Sequence, residues 1–207
     1  MRILPLLLSF VTLTLAVDTG LADARRANEP QTSTIRIRLK GPTLRVRCRG
    51  GDCVVSVVGQ GNGVYAVSVT RTRNGLPFTF ARNVDNPTNI AVETGLGNDQ
   101  VSLVDIDIPG FLRVGTGPGD DVLSITDTRA AGKGAIDLGS GSDVAMLDTL
   151  GVGGKFRCAA KGGDDDVTVV GGSYASKSGF DGGPGTDGIT VPTNAFSEPP
   201  VIHAFEQ

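Results

Sequence analysis

The chain has 207 residues, of which 39% are hydrophobic, 5% are aromatic and none is Trp, with 30 Gly and a net charge of −3. A core built from large aromatic side chains is excluded. The Gly content, about twice the usual share, requires frequent tight turns around a thin interior of Val, Ile, Leu and small side chains. The modest net charge conceals a split: Lys and Arg against Asp and Glu number 11 and 2 over Arg25–Arg82 (+9), but 7 and 18 over Asn83–Gln207 (−11), which predicts different partners at the two ends.

The first element is not expected to belong to the fold. Arg2, the apolar run Ile3–Val17 and the small residues Ala22 and Ala24 have the charge, length and A-x-A spacing of a secretory signal cleaved near Ala24. The run is short for a membrane span, no later segment is long and apolar enough to cross a bilayer, and no Cys follows it for a lipid anchor. The mature chain is therefore expected to be secreted, periplasmic or at the cell surface.

Two basic strands follow. In "TIRIRLKG", Ile35, Ile37 and Leu39 alternate with Arg36, Arg38 and Lys40, and in "TLRVRCRG", Leu44, Val46 and Cys48 alternate with Arg45, Arg47 and Arg49. If the strands adjoin, six positive charges share one outer surface. Arg suits planar anions, so the surface is a candidate dock for acidic polysaccharide or another cell-surface polyanion such as lipopolysaccharide, with nucleic acid the least expected. The alternative is a charged edge that only prevents strand aggregation.

From Gly95 the chain repeats. Asp99, Asp121, Asp143, Asp165 and Asp187 are each 22 residues apart. Two residues earlier stand Gly97, Gly119, Gly141, Gly163 and Gly185; four earlier stand Gly95, Gly117, Gly139 and Gly183, with Lys161 the one departure. After each Asp an apolar alternation begins, Val101/Leu103 in the first copy and Ile189/Val191 in the last. A second alternation recurs later in the unit, at Ile90/Val92, Leu112/Val114, Ile136/Leu138 and Phe156/Cys158. A strict period with strand alternation and no helical stripe predicts an all-β single-domain fold, a parallel β-helix (β-solenoid) of about 22 residues per coil. "LPFTFA" with "TNIAVET" fits one further coil and "TIRIRLKGPTLRVRC" gives two short strands before it, so about seven coils are expected, the first two irregular. The expected organisation is an irregular basic start over 25–72, a regular β-helix over 73–191 and a cap over 192–207.

Stacking would file the five Asp one strand spacing apart. At ~5 Å two unit charges repel by about 0.8 kcal/mol in bulk water and about 3 kcal/mol at an effective dielectric near 20. Asp120 and Asp164 add to that load. Either the side chains splay into water or cations sit between coils. Calcium suits the second case: it takes several oxygens, and the G-x-G backbone is free to turn carbonyls towards it, giving at most four sites between five motifs.

The units resemble the hemolysin-type calcium-binding (repeats-in-toxin) nonapeptide G-G-x-G-x-D-x-U-x, matched most fully by "GGPGTDGIT" at Gly182–Thr190. The resemblance covers about 95 residues and implies a parallel β-roll with calcium between turns. It also marks a departure. One motif per 22 residues leaves at most one ion-binding edge, and that coil length is closer to the β-helix of pectate lyases. The alternative is a tight solvated turn without metal.

The remaining residues say little for catalysis. Cys48 and Cys53 flank "RGGD" and are candidates for a disulfide. Cys48 and Cys158, 110 residues apart, are expected in one inward column, too distant to bridge, with Cys158 a buried small hydrophobe. The single His203 lies near the end. Asp143, Asp165 and Asp166 with Arg157 or Lys161 are the nearest thing to an acidic cleft, yet they follow the repeat instead of breaking it. The reading is a secreted, non-enzymatic, calcium-stabilised solenoid with a surface, matrix or adhesion role. A polysaccharide lyase or hydrolase, or a purely structural solenoid without metal, is the alternative.

Overall fold

The computed structural model describes residues 35–192 and 196–206; the signal-like segment 1–24 lies outside them. Among the described residues no helix is long and apolar enough to cross a membrane. The described chain is all-β, a solenoid of about five turns with coils about 22 residues apart.

The start is antiparallel. β1 (Ile35–Lys40) pairs with β2 (Thr43–Cys48), after which β3 (Cys53–Gly59), β4 (Val64–Arg73) and β5 (Leu76–Asp85) form a meander. "LPFTFA" is thus part of a hairpin and not of a coil, so the turn count falls from about seven to about five. The sequence carried the signal: Asn74 and Gly75, at φ 51° and 74°, form the two-residue turn that reverses the chain. The limit expected at residue 73 falls at the tip of this hairpin.

Parallel winding then takes over with β6 (Asn89–Glu93), β7 (Gln100–Val104) and β8 (Asp107–Ile108). Next come β9 (Leu112–Pro118), β10 (Val122–Ala130), β11 (Gly134–Ser140), β12 (Val144–Val152) and β13 (Phe156–Gly162). The last are β14 (Asp166–Val170), β15 (Ser173–Tyr174), β16 (Ser178–Asp181), β17 (Gly188–Thr190) and β18 (Val201–His203). One sheet has the order β1-β2-β6-β9-β11-β13-β16-β18; the other runs β17-β14-β12-β10-β7-β3-β4-β5. Where β10 and β12 pass Asp127 and Thr149 they bend onto a short third face shared with β8 and β15. Asp105, Asp127, Thr149 and Gly171 all turn that corner at positive φ, a 22-residue column that the Gly and Asp motif does not reveal.

Register follows the repeat. Val101, Leu123, Ala145, Val167 and Ile189 stand one above another, as do Val92, Val114, Ile136 and Cys158. Leu138 lies in the next inward column, not in the one expected. Cys48 and Cys158 do not share a column either, because the meander lengthens the first return by two residues: Val46 pairs with Val92 and so heads the Cys158 column. The apolar interior is mostly aliphatic, with Tyr65 near the N-terminal end and a cluster of aromatic rings at the C-terminal end. There Phe156, Tyr174, Phe180 and Phe196 form a ring cluster with centroids 4.7–6.0 Å apart, and the tail closes over the last coil.

Candidate functional site

The G-x-G-x-D corner is the first candidate. The five Asp do form one column, but neither splayed nor solvated: their exposures are 0–3%. The D-x-U-x-U alternation puts each Asp on the inward side with the apolar residues, a parity that the expectation of splayed side chains or intervening cations did not use. Each carboxyl accepts a backbone N–H from the coil before it. Asp99 Oδ1 takes the N–H of Cys53 (2.7 Å), Asp121 that of Asp99 (2.7 Å) and Asp143 that of Asp121 (2.8 Å). Asp165 takes that of Asp143 (2.8 Å) and Asp187 that of Asp165 (3.0 Å). Glu206 ends the series, its Oε2 accepting the Asp187 N–H at 2.6 Å.

A second ladder runs outside in the opposite sense. Asp52, Asn98 and Asp120 accept the N–H of Asn98, Asp120 and Ser142 at 3.0, 3.1 and 2.9 Å, and Asp164 accepts that of Thr186 at 2.9 Å. Asp120 and Asp164 are therefore corner fasteners on the wet side.

The glycines make the corner compact. A Cβ on Gly141 or Gly163, at φ 124° and 126°, would collide with the carbonyl oxygen of the glycine one coil earlier. The same close approach recurs at Gly117, Gly119, Gly139 and Gly185, stacked beneath by Gly95 and Gly97, and at Gly183 against the Lys161 carbonyl. Lys161 takes the left-handed position, at φ 84°, that Gly117, Gly139 and Gly183 hold in their coils, its Nζ 2.8 Å from Asp137 Oδ1.

Do these residues fit calcium? One oxygen of each carboxyl already holds an N–H. The second oxygens of Asp121, Asp143, Asp165 and Asp187 are buried without a partner. Five residues before the successive Asp stand Thr94, Thr116, Leu138, Ala160 and Gly182, all buried, so polarity is lost along the column. The glycine carbonyls abut the next coil's glycines, and no cluster of three His, Cys, Asp or Glu among the described residues is arranged to hold a metal. Calcium requires about six to eight oxygens, and this donor set does not fit it. Burial raises Asp99 to about 6 against the pull of Thr94, and raises Asp143 to about 7; it also raises Asp121 and Asp165.

At the first coil Cys48 and Cys53 are joined by a disulfide. Cys53 occupies the Asp position and Cys48 precedes it by five residues, as Thr94 precedes Asp99. Cys158 is free and buried, its thiol pushed up to about 12 by burial.

The second candidate is the outward face of the eight-stranded sheet. Arg36 and Arg38 stand directly opposite Arg47 and Arg45 across β1 and β2; Lys40 opposes Thr43, and Arg49 follows in the corner. Six of the seven cations of Asn83–Gln207 join them: Arg113, Arg157 and Lys161 on β9 and β13, and Lys133, Lys155 and Lys177, each just before a strand of this sheet. That lysine column is another 22-residue period, and sequence reading passed over it. Three acids on the face pair with cations: Glu93 with Arg47 (2.8 Å), Asp137 with Lys161 (2.8 Å) and Asp181 with Arg157 (3.4 Å). The charge split along the chain thus becomes a split by place. Much of the acidic excess goes to the ladder and corners, while basic residues from both halves meet on one sheet, with Arg71, Arg73 and Arg82 on β4 and β5 and Arg129 on the third face standing apart.

Among the described residues Asp143, Asp165 and Asp166 form no acidic cleft with Arg157 or Lys161. Asp143 and Asp165 point inward, Asp166 is exposed on the ten-stranded sheet, and Arg157 and Lys161 lie on the other sheet. His203 is exposed on β18. No family model, curated protein or solved structure matches the chain.

Proposed function

We propose that this chain is an exported, non-enzymatic β-solenoid that binds an acidic polysaccharide or similar extracellular polyanion through the outward face of its eight-stranded sheet. A surface, matrix or adhesion role follows from that chemistry. The observation that carries it is the opposition of Arg36 to Arg47 and of Arg38 to Arg45. Like charges directly across a strand pair are destabilising, and only Arg47 of these four has an ion pair among the described residues. An external anion is the missing partner.

The signal-like segment supports export, and the likeness to the hemolysin-type repeat supports an extracellular solenoid. The rigidity that calcium would confer outside the cell is supplied in this reading by the carboxyl–amide ladder.

Retention on a heparin or polygalacturonate resin tests it. The mature chain, of modest net negative charge, should be retained at low salt and elute as salt rises. Neutralising Arg36, Arg38, Arg45 and Arg47 to Gln should move elution to much lower salt. Flow-through of the parent chain at low ionic strength would end the proposal.

A further inference from the structure

Resting on the polyanion reading, we infer that the ligand is a single linear glycan, laid along the solenoid axis and presenting one carboxylate or sulfate per disaccharide. The outward column through β2, β6, β9, β11 and β13 reads Arg45, Ala91, Arg113, Ala135, Arg157, each directly paired with the next. Cations alternate with methyl groups. With strands ~4.8 Å apart the arginines recur every ~9.6 Å. An extended pyranose chain advances by about one strand spacing per sugar, so every second sugar meets a guanidinium.

The space beside this column suits such a chain. Glycines at 115, 117 and 139 leave a trough of about 630 Å³ running across β6, β9, β11 and β13, with Pro118 and Pro184 on its border. Arg113 lines the trough and has no ion pair among the described residues, whereas Arg157 shares its charge with Asp181. Arg113 is therefore the central anchor. A planar guanidinium matches a carboxylate or sulfate through paired N–H donors. Nucleic acid fits less well: single strands are held largely by aromatic stacking, and no aromatic side chain lines the trough.

The test uses the whole mature chain and oligomers of alternating glucuronate and N-acetylhexosamine, one to five disaccharides long, titrated by calorimetry. Affinity should climb with each added disaccharide until about three span Arg45 to Arg157, then level off. Arg113→Ala should weaken the three-disaccharide oligomer about tenfold. Ala135→Glu, at an exposed position between Arg113 and Arg157 in the column, should abolish binding with the β-sheet circular dichroism unchanged. Arg129→Ala, an exposed arginine on the short third face, should do nothing. If affinity followed total charge alone, with single-stranded DNA of equal charge bound as tightly and Arg113→Ala matching Arg129→Ala, the glycan register would be refuted while the basic face stood. If no polyanion bound, the functional reading itself would fall.

Discussion

The first coil and those after it close the same corner by different chemistry. In the first, Cys48 is bonded covalently to Cys53; later, Thr94 and Thr116 lie beside Asp99 and Asp121, and the aspartates bind along the stack. Direction explains the difference. Each Asp accepts an N–H from the coil before it, and the first coil has no parallel predecessor, since β3 is flanked on that side by antiparallel β4. An Asp at position 53 would have no backbone N–H of a preceding coil to accept. A disulfide closes the turn without needing a neighbour. At the opposite end the orphan is the Asp187 N–H, and Glu206 takes it. A periodic interior ladder thus needs two unlike terminators, one covalent and one borrowed from the tail.

The largest disruption should come from the ladder's backbone spacing. Gly141→Ala sets a Cβ against the Gly119 carbonyl at a positive φ. It should cost at least about 3 kcal/mol in denaturant unfolding. The corresponding change at Gly61 (φ 78°), with nothing within 4 Å of its Cβ, should cost only the backbone strain. Equal losses at the two sites would show that conformation, not stacking, demands glycine.

Next in size is the carboxyl itself. Asp143→Leu leaves the Asp121 N–H without its acceptor, worth about 1–3 kcal/mol, whereas Asp143→Asn keeps an acceptor without the charge. Because burial raises Asp99 to about 6 and Asp143 to about 7, the folded chain holds more protons than the unfolded one between about pH 4 and 7. Their contribution is complete below the unfolded carboxyl range and is lost as pH rises through the folded values. Melting points should therefore fall from pH 4 to pH 7, less steeply in Asp143→Asn. At pH 8 the Asn variant should match or exceed the parent, and millimolar calcium should add nothing beyond a magnesium control. A calcium-specific rise in melting point would reinstate the ion.

How much of this was legible beforehand depends on what the period encodes. The 22-residue spacing gave the coil, its columns and the stacking of Asp99 to Asp187, because parallel register converts sequence interval directly into vertical neighbours. The inward direction of the aspartates was also written, in their parity with Val101 and Leu103, but the expectation of splayed side chains or intervening cations left out the backbone N–H that meets each carboxyl. The hairpin at Asn74-Gly75 was readable from turn chemistry. Its consequence, a two-residue offset that separates Cys48 from the Cys158 column, was not, since return length depends on how β4 and β5 pack. The basic face needed the fold: only register shows that Arg45 and Arg113, 68 residues apart, stand in one file.

Smaller effects distinguish the two ends of the comparison. Cys48→Ala with Cys53→Ala removes a very short loop closure and should cost about 2 kcal/mol. Cys48→Thr with Cys53→Asp, which copies the later coils, should recover none of it. Recovery would mean that a donor for residue 53 exists and that direction is not the reason for the disulfide. The smallest change lies on the wet side. Asp120→Ala frees the Ser142 N–H, but Ser142 is exposed and water can replace the lost acceptor. Its cost should stay within about 0.5 kcal/mol. A loss as large as that of Asp143→Leu would place the strength of the corner in its outer ladder.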